Sequence, residues 1–226
     1  MSEIVEAGYD EIAERYLDWS LEADWPGRRL YLEHLIAALP VSAEVLELGC
    51  GAGVPATRAL LDAGHRVTAV DISASQLELA RRNVPEAQLV KADMTELDLP
   101  EASFDAVCAF YSLTHVPRVL HAGLLQRIAT WLRPQGLFVA SLGQTDNPSE
   151  VEEDWLGAPM FFSHFNADAS VALVESAGFE ILRRELNPKA EQAVRLLGRL
   201  RRLRRRRPRG RRTVEGGFLW VLARSS

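Results

Sequence analysis

Apolar and polar residues follow one another along this chain in two rhythms. Near the N-terminus Ile4, Ile12, Ala13, Tyr16 and Leu17 fall close to helical spacing. Past Pro26, the run Gly27–Leu39 puts Leu30, Leu35, Ile36 and Leu39 on one helical face. Pro26 suits the opening of that helix and Pro40 ends it. From Val45 onward the rhythm shortens. Compact β-branched and apolar runs start at Val45 and recur at His65–Val70, Ala87–Val90, Phe104–Ala109 and Leu137–Leu142. Helix-compatible segments lie between them at Val54–Ala63, Gln76–Asn83 and Leu120–Leu132. This alternation predicts a parallel sheet with helices on both faces. A helix over Asp168–Ala177, closed by Gly178, and two last strands, Phe179–Leu186 and Phe218–Arg224, complete it.

Two stretches break the pattern. Gly143 to Phe165 carries Asp146, Asn147, Pro148 and Pro159, then Trp155, Phe161, Phe162, His164 and Phe165. It reads as a long irregular lid, the usual meaning of such a segment in an α/β domain. The second is basic. Eleven of the 26 basic residues fall in Arg195–Arg212, which contains no acid, so the rest of the chain is strongly acidic. Nucleic-acid contact or a membrane surface would use such a segment. No aromatic residue is interleaved with the arginines, which favours a solvated insert and makes a nucleic-acid partner the weaker reading.

The composition, 226 residues with 47% hydrophobic and 25% charged, is that of one globular domain with a sizeable core. Within it the expected parts are an N-terminal helical cap (1–40), the lid (143–165) and the basic insertion (189–214). The N-terminus is acidic and lacks the features of a signal peptide. No apolar run reaches bilayer length. Cys50 and Cys108 read as small buried fillers in a reducing, cytoplasmic compartment, with no disulfide and no metal site.

The chemistry concentrates where the first strand ends. Val45 to Gly53 reads Val-Leu-Glu-Leu-Gly-Cys-Gly-Ala-Gly. A strand that stops in glycines and opens into a helix is a nucleotide-cofactor signal, because glycine leaves no Cβ between backbone and ligand. Glu47, a carboxylate inside a buried strand, needs a partner. Asp71 ends the second strand about 20 residues on, where such folds place an acid on a ribose hydroxyl. A nicotinamide cofactor would fit these features as well as any other nucleoside.

The motifs Glu47-Leu-Gly-Cys-Gly-Ala-Gly53, Val70-Asp71-Ile72-Ser73, Asp93-Met94, and Phe104-Asp105-Ala-Val with its His115-Val-Pro117 ending occur in order. Over Glu44 to Arg224 the chain resembles the class I S-adenosylmethionine (SAM)-dependent methyltransferases. The resemblance implies a Rossmann-like α/β fold with a seven-stranded, mainly parallel sheet, its last two strands an antiparallel pair. It implies that Glu47, Gly49, Cys50, Gly51 and Gly53 surround the methionine part of SAM. Asp71, with Ile72 beside it, would hold the ribose, and Asp93 and Met94 would read adenine. Tyr9 and Tyr16, seven apart on one helical face, would close over the cofactor, with Phe110 next to it. Tyr111, His115 and His164 are the polar groups expected nearest the reactive methyl; a histidine could act there as a base.

Family members that methylate base or protein amines often carry Asn- or Asp-Pro-Pro-aromatic after the fourth strand. This chain has Ala109-Phe-Tyr-Ser112, which argues against that chemistry. The expected acceptor is a small, partly apolar or aromatic molecule, and the expected state a monomer or homodimer. Three other readings stay open: an RNA-modifying methyltransferase, an NAD(P)-dependent oxidoreductase, and a SAM-binding protein without catalysis.

Overall fold

The structure, a computed structural model, describes residues 1–22, 26–187 and 217–226. Trp25 and the basic segment, Arg195–Arg212 within 189–214, lie outside the described residues. Two helices come first, α1 (Ser2–Glu22) and α2 (Pro26–Ala38). Then β1 (Glu44–Leu48), α3 (Ala56–Asp62), β2 (Arg66–Asp71), α4 (Ala74–Asn83), β3 (Gln88–Lys91) and β4 (Phe104–Ala109) alternate. Next come α5 (His121–Trp131), β5 (Leu132–Gly143), β6 (Asn147–Trp155), β7 (Ala158–His164) and α6 (Ala167–Ser176). The chain closes with β8 (Phe179–Leu186) and β9 (Phe218–Ser225).

Seven strands form one sheet in the order β3-β2-β1-β4-β5-β9-β8. Neighbours are parallel except β9, which runs antiparallel to both β5 and β8. The period-2 alternation of the strands divides the core in two. Leu46, Leu48, Val107 and Phe138 face a layer that holds Leu124 and Ile128 of α5 and Val174 of α6. Val45, Ala106, Cys108 and Val139 face the other layer, with Leu30 and Leu35 of α2, Leu60 of α3 and Leu77 of α4. The strand order reverses between β1 and β4, so the glycine turn after β1 opens at the switch point where α/β sheets bind ligands. Among the described residues no helix is long and apolar enough to cross a membrane.

Two expectations are corrected. Leu132-Arg-Pro-Gln-Gly136, which the family resemblance makes the usual turn before the fifth strand, is not a free turn. It is already β5, which pairs Leu132 with Phe104 and then shifts register before Leu137 meets Ala106. Gln135, at φ 66, absorbs the irregularity. The larger correction concerns 143–165, which is not an irregular lid. Most of it is an antiparallel hairpin, β6–β7, forming a separate two-stranded sheet. Its two-residue turn is Leu156-Gly157, both at positive φ, the geometry that suits tight hairpins. Pro148 is tolerated because β6 pairs on one side only. Val5 and Ile12 of α1 pack with Ala158, Met160 and Phe161 in a third apolar cluster that ties the hairpin to the N-terminal helix.

Candidate active site

At the end of β1 the chain turns back on β2. The N–H groups of Gly49 and Cys50 both donate to the Val70 carbonyl, at 2.8 and 3.0 Å. The Gly51 N–H donates to Asp71 Oδ2 at 2.7 Å, and the Ser73 N–H donates to Asp71 Oδ1 at 2.9 Å. Asp71 is thereby fixed in the wall of a cleft of about 730 Å³, mouth included, that also takes in Gly51, Ile72, Asp93, Met94 and Phe110. Burial pushes the Asp71 carboxyl up to about 6, against the opposing effect of its backbone bonds. Gly51 sits at φ 54, and a Cβ there would meet nothing closer than Gln76 Oε1 at 3.6 Å. Its bare side therefore faces the cleft. Gly49 and Gly53 are glycines for another reason: a Cβ would overlap Ser112 or Val84.

Asp93 is oriented from the next loop. Its Oδ1 accepts from the Thr95 N–H (2.8 Å) and the Thr95 hydroxyl (2.7 Å). Glu47 is buried and accepts from the Thr57 hydroxyl at 2.5 Å. Burial pushes its carboxyl up to about 7. Together with Cys50, Ser20 and Arg28 it lines a smaller recess that shares Tyr16, Gly49, Gly51 and Phe110 with the main cleft. Asp10 of α1 secures the turn from outside, accepting from the Ser73 hydroxyl (2.6 Å) and the Ser75 N–H (2.9 Å).

Gln76 lines the same cleft and was not expected. It is wholly buried, yet neither its amide oxygen nor its amide nitrogen has a partner. A buried orphan amide is costly unless a ligand completes it.

The other end of the cleft is aromatic. Tyr9 and Tyr16 both line it, their rings 5.1 Å apart. His115 stands behind them. Its Nδ1 lies 2.8 Å from the Phe161 carbonyl, which can only accept, so Nδ1 carries the proton. The Tyr9 hydroxyl then donates to Nε2 at 3.0 Å. Burial holds His115 neutral, its pKa lowered to about 4. Both nitrogens are thus committed, and the imidazole is a strut between α1 and β7. Tyr111 reaches the cleft from the end of β4 at φ 62, its N–H donating to Ser141 Oγ at 2.6 Å. Its ring packs edge-on against Phe218 (4.8 Å) and Trp220 (5.4 Å). Burial pushes its phenol well above the ordinary range. His164 is not gathered with these groups. It ends β7 away from the cleft lining, beside Gly143, with Nδ1 2.8 Å from the Thr145 carbonyl.

A methyltransferase-domain family model matches residues 45–136, from β1 to the start of β5. Methyltransferase GfsG of Streptomyces halstedii is 34% identical over 173 residues, covering 71% of this chain and 61% of its own. These matches support the class I SAM-dependent methyltransferase family for this chain. Another member, the 27-O-demethylrifamycin SV methyltransferase of Amycolatopsis mediterranei, is 34% identical over 131 residues, 54% of this chain and 47% of that protein. The chain spans about half to three fifths of the length of these curated relatives. Among solved structures, the 1,6-didemethyltoxoflavin-N1-methyltransferase of Burkholderia thailandensis matches with a TM-score of 0.68 at 25% identity. That match covers 100% of this chain and 88% of that one.

The family's motifs pointed to the glycine turn and to the acids. They did not point to Gln76, which lies between motifs, or to Arg28, which lies ahead of the glycine turn. A signal for Gln76 does exist: it is a polar residue three positions after the helix-capping Ser73, on the inward face of α4 with Leu77 and Ala80.

Proposed function

We propose that the chain is a SAM-dependent methyltransferase acting on a small molecule that carries an apolar or aromatic part. The observation that carries this reading is one cleft wall uniting Gly51, Asp71, Asp93 and the partnerless amide of Gln76. These groups suit a nucleoside: a fixed carboxylate for ribose hydroxyls, a second for an exocyclic amine, and an amide able both to donate and to accept. In the adjoining recess Glu47 suits the ammonium and Arg28 the carboxylate of a methionine tail. Gly49 and Cys50 would lie along that tail, Ile72 and Met94 beside the base, and Tyr9, Tyr16 and Phe110 over the sulfur.

Bound there, SAM supplies a methyl group already activated on a sulfonium. The protein's own task is to hold the acceptor in line with it and to exclude water. Tyr111 and His115 serve as walls in this reading, since a strongly raised phenol and a doubly bonded, weakly basic imidazole are poor proton acceptors at neutral pH. His164 is left out of the chemistry. The names of the relatives support a small acceptor, a rifamycin for one and a didemethyltoxoflavin for another. Nothing among the described residues favours an RNA grip or a nicotinamide cofactor. We read the described chain as one catalytic domain, and its two buried thiols as suited to the cytoplasm. Calorimetry with SAM and S-adenosylhomocysteine tests the cofactor. A mass-spectrometric screen for the gain of one methyl tests the transfer. Well-folded protein that binds neither compound would sink the proposal.

A further inference from the structure

Trp155 is the last residue of β6, just before the hairpin turn. Among the described residues, five other rings surround its indole. Centroid separations are 5.7 Å to Tyr9 and to Tyr16, 6.0 Å to Trp19, 6.3 Å to His115 and 5.9 Å to Phe162. Four of the five stand edge to face with it, at 63° to 76°. Such an arrangement selects a flat aromatic guest, because ring edges are positive and ring faces negative. Three of these rings, Tyr9, Tyr16 and His115, also line the cleft. The box therefore opens on the place where a methyl acceptor has to stand.

The indole sits beside the tip of the hairpin, where the pairing is irregular, as it is again at the foot. β6–β7 pairing loses its register between Glu152 and Trp155. Leu156 holds φ 53, a strained value for a side chain branched at Cγ, and Gly157 follows at φ 96. Trp155 and Leu156 pack against the cluster that holds Val5 and Ile12 of α1, and the Arg15 guanidinium donates to the Leu156 carbonyl at 2.5 Å. β7 is pinned independently. The Phe161 carbonyl accepts from His115, and Ser163 Oγ accepts from the Arg118 N–H at 3.0 Å. The turn and the body of β7 are thus held by separate polar contacts.

We propose that Trp155 is a removable occupant of the acceptor site: the acceptor carries a planar aromatic ring that displaces the indole and takes its place against Tyr16, Trp19 and Phe162. This rests on the methyltransferase reading and names its substrate class. It also makes Trp155 a determinant of specificity, since an acceptor must bind the box better than the chain's own indole does.

The test uses the full chain labelled with 5-fluorotryptophan and saturated with S-adenosylhomocysteine, with indole as the probe. The Trp155 fluorine signal is assigned from its loss in Trp155→Phe. As indole is added, that signal should move toward the solvent-exposed position while the other tryptophan signals stay. Trp155→Ala should bind indole about tenfold tighter than the parent, having no occupant to expel, and should gain less for cyclohexanol. A Trp155 signal that stays fixed at indole concentrations saturating Trp155→Ala overturns the proposal. So does a folded Trp155→Ala, by circular dichroism, that gains no affinity for indole. Should S-adenosylhomocysteine not bind the parent protein, the cofactor reading fails separately, and the same titration without it still decides the fate of Trp155.

Discussion

The two ends of the cleft are held by different kinds of force. The cofactor end is built from short, directed bonds between neighbours in sequence or across adjacent strands: Gly51 to Asp71, Ser73 to Asp71, Thr95 to Asp93. The acceptor end is built mostly from rings that meet across long stretches of chain, as Tyr9 does with Trp155 and His115 with Phe162. Directed bonds in a buried place leave few alternatives, since each lost partner strands a polar group. Ring packing is broad and forgiving. The first end should therefore break sharply under single substitutions and the second should yield by degrees.

The sharpest break is expected at Gly51. Valine there would have to hold φ 54, which β-branched residues avoid, and its added carbons would enter the cleft. Gly51→Val should weaken S-adenosylhomocysteine binding by about 100-fold or more, roughly 3 kcal/mol. Calorimetry on protein with an unchanged circular dichroism spectrum is the check; an affinity within tenfold of the parent would contradict the cradle. Asp71→Ala comes next. It removes a charged acceptor and leaves the Gly51 and Ser73 amides without their partner, which should cost about 1.5–3 kcal/mol of cofactor affinity.

The same contrast explains what could be read in advance. The strands, their order and the cofactor acids lie in segments where local pattern and chemistry agree. A buried run ends in glycines because the backbone must turn there, and in the proposed reading an acid follows because a ribose has to be held. The hairpin was hidden because β6 is mostly exposed: Glu150, Glu152, Glu153 and Asp154 face solvent, and Asn147, Val151 and Trp155 are half-buried. That is a weak apolar rhythm, interrupted by Pro148. Its one firm signal, Leu156-Gly157 between an acidic run and an aromatic one, is a hairpin turn that composition alone made look like loop. His115 was ambiguous for the same reason. Its role depends on Tyr9 and on Phe161, and no local pattern joins them.

A pH titration sharpens the comparison at the cofactor end. Burial raises Glu47 from an ordinary 4.5 to about 7, so the empty folded protein binds that proton more tightly than the unfolded chain. Its stability should then fall as pH rises from about 4.5 to 7, with a slope of at most roughly 1.4 kcal/mol per unit from this group. A cationic methionine ammonium favours the ionised form. Cofactor affinity should therefore rise over the same window, by up to about tenfold per unit. Glu47→Gln should flatten both profiles; slopes that persist in that variant would assign the titration elsewhere, with Asp71 next in line.

At the acceptor end the effects should be smaller. Tyr9→Phe removes the hydroxyl that donates to His115 Nε2 and keeps the ring. It should lower unfolding stability by about 1–2 kcal/mol in urea titrations, while cofactor affinity changes by no more than about threefold. A loss of cofactor affinity as large as that of Asp71→Ala would mean that the hydroxyl holds the ligand directly, and the division between the two ends would blur.

The smallest effect is expected at His164, the histidine that sequence alone made a candidate base. Its Nδ1 faces the Thr145 carbonyl and its ring lies against Gly143, at the foot of the hairpin. A base must come within hydrogen-bond reach of the proton that it takes, directly or through one water. His164 does not line the cleft, so that reach is missing. His164→Ala should leave cofactor affinity unchanged and turnover within about threefold, the scale of a substitution away from buried networks. A thousandfold fall in turnover, with acceptor binding intact, would return His164 to the chemistry and require the hairpin to carry it into the cleft.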